Sequence, residues 1–403
     1  MNRSFRVKVA ILNVKYSPNL GDGLLAECLE RELVRHHPSI EVVPIDLAGR
    51  THYGGHGRNR ALAMRTLERL PGPLRRVAAW SVLSLLARVR LRPAFRAALA
   101  DCDAAVIGGG NLFADDDLNF PIKLALGLAE TRRRDVPVAV FAVGVSDNWS
   151  ATGERLFARA LASARLACVR VRDERSQDIW NRRLGVHGVP HAKIARDPGL
   201  LAARCYALPA CAHAMRVVAL CVTDPLAVRY HGGSDGSDAV LAAWYTQSIA
   251  ALADAEWDVA LFTNGSPEDR AFLDQRCAGW VAAGRGRVRR LPDFAQPADL
   301  VAALSRATIV IAHRMHACIA AYSCGVPAIG LRWDRKLDSF FALSGRDAFM
   351  VDTATLAPAE IVTLAERAAH EGVEPALHAD LLDAASASVA LLGDLLRDRA
   401  CAR

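Results

Sequence analysis

The fold of this chain is decided by residues 308–338, which read TIVIAHRMHACIAAYSCGVPAIGLRWDRKLD. Thr308–Ala312 is a short apolar run rich in β-branched residues, which is typical of a strand buried in a parallel sheet. The residues from Ala317 to Cys324 are small and apolar enough to form a helix packed flat on that sheet, and Gly325-Val326-Pro327 ends it. Ala328–Leu331 is the next predicted strand. The stretch therefore predicts a strand–helix–strand unit of an α/β protein.

Basic side chains follow both predicted strands, at the edge where open α/β sheets bind ligands. They are Arg314, His316, Arg332, Arg335 and Lys336. Several fixed cations around one imidazole suit a small, multiply anionic substrate that needs a proton moved. A basic surface loop with a helix-capping histidine is the alternative that the spacing alone leaves open.

Short motifs also follow one another along the chain in a fixed order. They are Asn19-x-Gly21-Asp22, Gly108-Gly109-Gly110-Asn111-Leu112-Phe113, Gly144-Val145-Ser146, Arg172-Asp173-x-x-Ser176, Asp197-Pro198, Arg314-x-His316, Gly325-x-Pro327 and Trp333-Asp334-x-Lys336. Each is weak alone, because glycine-rich turns after strands are common. As an ordered set over roughly residues 9 to 341, they resemble the signature of the polysaccharide pyruvyl transferase family. Members of that family take phosphoenolpyruvate and install a pyruvate ketal on a sugar.

The rest of the chain predicts two domains with C-terminal helices. Strands alternate with helices over residues 1–200, and a second α/β set fills residues 215–345 before helices over 346–403. A stretch rich in Gly, Pro, His and Ala, 185–214, predicts the linker. The first half lacks a Gly-x-Gly-x-x-Gly pattern, which argues against a dinucleotide cofactor. The predicted architecture is thus two Rossmann-like domains, and the resemblance implies a GT-B-like fold in which they face each other across a cleft, with the acceptor on the first and the donor on the second.

A basic block interrupts the first predicted domain. The chain carries a net charge of +7, yet residues 50–100 contain eleven arginines and one acid, so the remainder is slightly acidic. Ala61–Leu70 and Val77–Leu99 predict arginine-rich helices, and 58–96 is apolar enough for contact with an anionic membrane surface or a lipid-linked glycan. Helices packed on the sheet with arginines facing water are the alternative. No nucleic-acid-binding motif accompanies the block, so we expect no nucleic-acid partner.

The cysteines and the N-terminus bear on the compartment. Ten cysteines are scattered without a Cys-x-x-Cys pair, which favours buried free thiols in a reducing cytoplasm over a zinc site. The N-terminus runs directly into a strand without a signal-peptide pattern, and no apolar run is long enough to span a bilayer. We therefore expect a cytoplasmic protein that reaches the inner face of the membrane if its basic block binds there. Asp115-Asp116-Asp117 fits either Mg²⁺ or charge at a helix N-terminus.

The resemblance implies roles for individual residues. His316 is the expected general acid, because histidine titrates near neutral pH. Asp22 is the expected base or orienting group for the acceptor. The expected substrate-binding residues are Arg172, Arg314, Lys336, Asn19, Gly109, Gly110, Asn111 and Ser146. The role of Arg332 stays open, because the family usually has a smaller residue there, and a structural salt bridge is the alternative for Arg172. The resemblance implies phosphoenolpyruvate as the donor substrate and a glycan or lipid-linked oligosaccharide as the acceptor, and we expect the reaction to need neither cofactor nor metal.

Two other functions fit the same fold. A GT-B glycosyltransferase would use a nucleotide sugar and typically holds it with glutamates in the C-terminal domain. This chain has no glutamate between Glu268 and Glu360, which argues against that function. A non-catalytic member of a polysaccharide assembly complex is the second alternative. The presence together of Arg172, Arg314, His316 and Lys336 argues against lost activity.

Overall fold

The chain forms two compact units. The computed structural model describes residues 6–54, 80, 81, 83–208, 216–225, 228, 238–333 and 335–401. The first unit comprises the described residues of Met1–Ser17, Leu25–Pro198 and Ala384–Arg403, and the second comprises those of Pro18–Leu24 and Gly199–Asp383. Residues 18–24 thus belong to the second unit, although both flanking segments belong to the first.

A parallel sheet of six strands organises the first unit. Its strands are β1 (Val7–Asn13), β2 (Ile40–Asp46), β3 (Ala104–Gly108), β4 (Val138–Val143), β5 (Leu166–Val171) and β6 (Lys193–Ile194). They lie in the order β2-β1-β3-β4-β5-β6. Every residue of β3 and β4 is buried, as expected for parallel strands covered on both faces by helices. The strand order reverses between β1 and β3, which makes that gap the ligand-binding position of such a sheet.

Helices cover the first sheet. They are α1 (Leu20–His36), α2 (Arg92–Ala98), α3 (Asn119–Arg133), α4 (Ala151–Ala162) and α5 (Glu174–Leu184). A π-helical turn, Ala87–Leu91, precedes α2. Helices α4 and α5 begin where the side chains of Ser150 and Asp173 accept hydrogen bonds from backbone N–H groups three residues later. The helix predicted over 61–70 and the start of the one predicted over 77–99 lie outside the described residues.

A second six-stranded parallel sheet organises the other unit. Its strands are β7 (Val217–Cys221), β8 (Asp258–Phe262), β9 (Val288–Arg290), β10 (Ile309–Ala312), β11 (Ala328–Leu331) and β12 (Met350–Val351). Their order is β12-β11-β10-β7-β8-β9, so the chain builds outward from β7 in one direction and then from β10 in the other. The strand order therefore reverses between β7 and β10. The strand–helix–strand unit predicted from residues 308–338 is confirmed as β10, a helix and β11.

The helices of the second unit follow the same alternation. They are α6 (Ala202–Cys205), α7 (Asp238–Asp254), α8 (Pro267–Ala283), α9 (Pro297–Leu304), α10 (Met315–Ser323), α11 (Arg335–Leu343), α12 (Glu360–Glu371) and α13 (Pro375–Cys401). The last of them begins in the second unit and ends in the first. Across the described ranges, no helix is long and apolar enough to cross a membrane.

The described residues of the predicted linker, 185–208, are more ordered than their composition indicates. Within 185–214, Lys193–Ile194 pairs with Arg170 and Val171 as the edge strand of the first sheet. Pro198–Leu201 then forms a short helical turn that leads into α6. Prolines and glycines mark turns in this stretch, but the neighbouring strand supplies backbone partners that the local sequence does not reveal.

Candidate functional site

The site of the second unit lies where the strand order reverses. Residues following β7 and β10 meet there, and parallel sheets bind ligands at this edge. Thr223 and His313, which follow these two strands, are completely buried. Asn264 follows the adjacent strand β8 and is also buried. Polar side chains from three neighbouring strand ends are therefore collected at one position.

Arg314 is fixed by a buried carboxylate. Its Nε and Nη2 atoms donate to one oxygen of Asp269 at 3.0 and 2.6 Å, and the backbone N–H of Asp224 donates to the other oxygen at 2.9 Å. Asp269 is fully buried in the first turn of α8. Burial raises the pKa of its carboxyl, and the charge of Arg314 opposes that rise. The guanidinium also lies 4.8 Å from the centre of the Trp333 ring. A guanidinium held on two sides presents a preorganised positive charge.

His313 has a structural environment. Its ring is completely buried, and Nδ1 lies 3.1 Å from the hydroxyl of Tyr245. The same hydroxyl accepts a hydrogen bond from the backbone N–H of Thr223 at 3.1 Å. Burial, reinforced by the charge of Arg314, lowers the pKa of His313 to about 3. This imidazole is therefore neutral at physiological pH and joins the ends of two strands and α7.

His316 lies in the first turn of α10, directly against the backbone at Gly21. A Cβ atom built on Gly21 would lie 2.6 Å from Cβ and 2.7 Å from Nδ1 of His316. Such distances are shorter than real Cβ contacts, so only glycine fits beside this imidazole as it stands. The helix begins at Met315 after Arg314, and no side chain caps it. Backbone N–H groups at the start of a helix favour anions, so the position of His316 suits an anionic substrate.

The segment 18–24 is anchored on the end of β8. The backbone N–H of Leu20 donates to the Asn264 carbonyl oxygen at 2.8 Å. The side-chain amide of Asn264 donates to Oδ1 of Asn19 at 3.3 Å. Gly265 has a φ of +98°, and a Cβ atom there would lie 2.4 Å from the Pro18 carbonyl oxygen. These contacts bring Asn19 into the same unit as His316, although they are far apart in sequence.

Asp22 and Lys336 are the other residues of this unit that the sequence predicted for the site. Asp22 is half-buried in the first turn of α1, and its backbone N–H donates to the Asn19 carbonyl oxygen at 3.0 Å. Lys336 is half-buried at the second residue of α11. Arg332, whose role was open, pairs with Asp338 at 3.0 Å, and both side chains are largely exposed. An exposed ion pair of this kind contributes little to stability.

The first unit holds a buried arginine, Arg172. Arg172 follows β5 and is 5% exposed. Its Nε lies 3.4 Å from Asp173, and Nη1 lies 3.6 Å from Asp197. Neither terminal nitrogen of the guanidinium makes a hydrogen bond, although both are buried. The salt bridge that was the alternative prediction for Arg172 is therefore present. The ion pairs nevertheless leave both terminal nitrogens of the guanidinium without a hydrogen bond. Unsatisfied buried donors are costly, and an anionic ligand would satisfy them.

Residues from two neighbouring strand ends lie beside Arg172. Asn111 follows β3, and its side-chain amide donates to the Ser146 hydroxyl at 2.8 Å. A Cβ atom on Gly144 would lie 2.5 Å from Nη2 of Arg172 and 2.7 Å from Oδ1 of Asn111. Gly109 and Gly110 precede this cluster with φ values of +78° and +79°, a conformation that favours glycine. The first unit thus brings together Arg172, Asn111 and Ser146 with the glycine turn that the sequence indicated.

The three consecutive aspartates do not form a cluster. Asp115 is buried, and it accepts hydrogen bonds from the Leu118 N–H and from the N–H and hydroxyl of Ser150 at 2.6, 2.7 and 2.6 Å. Its carboxylate thereby joins the β3 loop to the start of α4. In the described part of the chain, no group of three metal-ligating side chains could hold a metal ion.

Several residues of the second-unit site carry no signal in the sequence. Asp269 resembles any acid in the first turn of a helix, and Asn264 and Gly265 resemble an ordinary turn after a strand. Gly21 was part of a motif, but its contact with His316 depends on an approach between segments almost three hundred residues apart. Only the folded chain shows these partners.

Comparison with solved structures supports the fold. A UDP-N-acetylglucosamine 2-epimerase from Neisseria meningitidis has a TM-score of 0.53 and 10% identity, covering 98% of this chain and 100% of its own. A UDP-glucosyltransferase from Polygonum tinctorium has the same TM-score, 11% identity and the same coverage. The UDP-GlcNAc 2-epimerase from Methanocaldococcus jannaschii has a TM-score of 0.51 and 10% identity, covering 89% of this chain and 92% of its own. At these identities the likeness concerns the fold alone, and it confirms the predicted GT-B-like fold class.

Comparison of sequences gives the family. No curated protein matches the chain significantly. A family model described as polysaccharide pyruvyl transferase matches residues 19–335, from the Asn19 motif to the start of α11. The matched span includes Asn19, Arg172, Arg314 and His316. The chain belongs to the polysaccharide pyruvyl transferase family.

Proposed function

We propose that this protein transfers pyruvate from phosphoenolpyruvate to two hydroxyls of a sugar and so forms a cyclic ketal. The acceptor is a sugar of a surface polysaccharide or of its lipid-linked precursor. One observation carries the proposal: His316 lies at the start of a helix against Gly21, two residues after an arginine fixed by the buried Asp269. An imidazole beside a preorganised cation suits a substrate that is both anionic and in need of a proton.

The first chemical step is addition of a proton to the donor. In this proposal Arg314 and Lys336 bind the carboxylate and phosphate of phosphoenolpyruvate, because charge-assisted hydrogen bonds to oxyanions are strong. Protonated His316 donates its proton to C3, and the enol carbon C2 becomes electrophilic. A positioned general acid of this kind contributes about 10²- to 10⁴-fold to the rate.

The second step forms the ketal. One sugar hydroxyl adds to C2, with Asp22 taking its proton, and a C–O bond forms. The bond between C2 and the phosphate oxygen then breaks, and the phosphate takes the proton from Asp22 as it leaves, while Lys336 balances its charge. The second hydroxyl adds to C2 and closes the ring, and its proton returns to His316. Every atom and charge is accounted for by donor, acceptor and side chains, so the scheme requires no cofactor or metal.

The predicted residues of the first unit receive a binding role in this proposal. Arg172 binds an anionic group of a substrate through its two terminal nitrogens, which are buried without a hydrogen bond. Asn111 and Ser146 hold each other at 2.8 Å and orient substrate hydroxyls. The turn at Gly109 and Gly110 lets the backbone approach that substrate closely.

Ligand-induced thermal stabilisation tests the donor. A ligand at about 100 times its Kd stabilises a protein by about 2.7 kcal/mol, so millimolar phosphoenolpyruvate should raise the Tm clearly. We expect this shift with phosphoenolpyruvate and not with UDP-glucose, and we expect Lys336→Ala to abolish it. Arg332→Ala is the matched control, because Arg332 is a neighbouring exposed cation that already pairs with Asp338. A shift with UDP-glucose alone would instead indicate a nucleotide-sugar transferase.

Turnover separates the acid from the binding residues. With an acceptor in hand, phosphate release should fall about 10²- to 10⁴-fold in His316→Ala through kcat. Lys336→Ala should raise the KM for phosphoenolpyruvate and also lower kcat, because Lys336 both binds the donor and balances the charge of the leaving phosphate. Full turnover by His316→Ala would refute its role as the acid.

A further inference from the structure

The helix that leads into α2 exposes several apolar side chains. Of the nine large hydrophobic residues that are exposed among the described residues, four lie within ten positions. They are Trp80, Leu85, Leu86 and Val89, which are 50, 64, 38 and 69% exposed. Such concentration on the surface is unusual, because exposed apolar residues are normally scattered.

A row of buried residues along this helix and α2 accounts for their packing. Ala87, Leu91, Phe95 and Leu99 recur every fourth position and are all buried, the last three in the core of the first unit. These buried residues are sufficient to explain how the helix packs on the core of the first unit. Leu85 and Val89 lie off that buried stripe, so packing on the sheet does not explain why they are apolar.

An arginine-lined cleft adjoins these apolar residues. Its volume is about 470 Å³. The residues that line it are Arg88, Arg92, Pro93, Arg96, Ala97, Ala100 and Arg134. A cleft with four guanidinium groups along its walls has the charge and the donor geometry that bind phosphate oxygens.

A buried acid orients two of these arginines. Glu130 is completely buried in α3, and it accepts hydrogen bonds from Nε of Arg92 at 2.8 Å and from Nε of Arg96 at 3.2 Å. Arg133 lies 3.6 Å from the same carboxylate. Burial raises the pKa of Glu130, but the hydrogen bonds from Arg92 and Arg96 outweigh burial and leave it below its ordinary value. The carboxylate is thus ionised, and one acid faces several cations.

We infer that this face of the first unit docks on an anionic phospholipid bilayer. Lipid phosphates bind in the arginine cleft while Leu85 and Val89 enter the headgroup region. An apolar face flanked by arginines is the pattern of helices that lie in a membrane interface, and each basic residue adds to the attraction of anionic lipid. The inference concerns only the described part of the contact predicted over 58–96, namely residues 80, 81 and 83–96.

Vesicle flotation tests the inference on the full chain. Vesicles of phosphatidylcholine alone are compared with vesicles containing about 30% phosphatidylglycerol, a fraction that gives a negative surface potential. We expect binding to the anionic vesicles in about 50 mM salt and its loss near 500 mM, where exposed charges are screened. Equal binding to both vesicle types, or none to either, would overturn the inference.

Two pairs of variants separate charge from apolar insertion. Arg88→Gln with Arg92→Gln, two residues that line the cleft, should lower the partition coefficient roughly 25-fold, because each basic residue near the surface contributes about fivefold. Leu85→Ser with Val89→Ser should also lower it. The matched controls are Arg159→Gln, an exposed helical arginine elsewhere, and Val186→Ser, a valine that is 77% exposed. Thermal unfolding confirms that each variant is folded.

The pattern of losses identifies the partner. Loss of binding in both tested pairs, with both controls unchanged, is the expected result. If the arginine pair weakens binding but the apolar pair does not, and millimolar inorganic phosphate displaces the protein, the cleft binds a soluble phosphorylated molecule and the bilayer inference fails. If the controls lose binding as much as the tested pairs, the attraction is non-specific and the inference also fails.

Discussion

Gly21→Ala tests the contact on which the proposed position of His316 depends. The added Cβ atom would lie 2.6 Å from Cβ and 2.7 Å from Nδ1 of His316. Carbon atoms in favourable contact are about 3.5–4.0 Å apart, so one of the two segments must move by about 1 Å. Overpacking of this size costs about 1–3 kcal/mol of stability, and a displacement of about 1 Å at a reacting group can lower turnover about 100-fold.

A second helical glycine provides the control for this substitution. Gly279 lies in α8, and a Cβ atom there would meet nothing within 4 Å. Gly279→Ala should therefore raise the free energy of unfolding by up to about 1 kcal/mol through helix propensity alone, with turnover unchanged. The two variants thus share one chemical change and differ in what the methyl group meets.

Urea unfolding and phosphate release with phosphoenolpyruvate and acceptor measure the two effects. Gly21→Ala should be less stable than the wild type and nearly inactive, whereas Gly279→Ala should be active and slightly more stable. If Gly21→Ala matched Gly279→Ala in both measurements, the close packing of the Gly21 segment on His316 would not exist in solution. The account of how residues 18–24 position the imidazole would then be refuted.

Three further substitutions test the buried polar groups. Asp269→Asn breaks the buried pair with Arg314 and should cost about 3–5 kcal/mol in urea unfolding, whereas Glu268→Gln, at the exposed neighbouring position, should cost less than about 0.5 kcal/mol. His313 has a pKa of about 3 in the folded chain and near 6.5 in the unfolded chain. The free energy of unfolding of the wild type should therefore be highest above pH 6.5 and decrease as the pH falls toward 3, because the unfolded chain then binds a proton that the folded chain does not. Between pH 6.5 and 5 the wild type should lose about 2 kcal/mol in this way, and His313→Gln should not show that loss. Asp115→Ala removes the acceptor of three hydrogen bonds and should lower the Tm by several degrees in a calorimetric scan.

The sheets could be predicted because their signal is local. Strands such as Ile309–Ala312 and Val138–Val143 are short apolar runs, and strands that alternate with helices leave a parallel sheet as the favoured arrangement. The edge strand Lys193–Ile194 could not be predicted, because two residues in a stretch rich in Gly and Pro give no period. Its existence depends on Arg170 and Val171 as pairing partners.

Two arginines of residues 308–338 show which feature of the site the sequence could not predict, namely the partner of each cation. Arg314 and Arg332 each follow a strand, and both were candidates for binding an anion. In the folded chain Arg314 meets the fully buried Asp269, whereas Arg332 meets the exposed Asp338 six residues later. Asp269 approaches from a helix that precedes β10 in the chain, and nothing in the spacing indicates it. The sequence identified two candidate arginines, and only the tertiary structure shows which of them is held by a buried carboxylate.

His313 and His316 make the same point about the acid. They are three residues apart, and both belong to one polar group after a buried strand. His313 still points into the interior, where Tyr245 and burial keep its ring neutral. An imidazole with a pKa of about 3 carries no proton to donate at neutral pH, so it cannot act as the general acid. His316 has turned with the first residues of α10 to face Gly21. The two histidines on either side of the junction between β10 and α10 therefore have different roles. His313 holds the strand ends together, and of the two only His316 can act as the proposed acid.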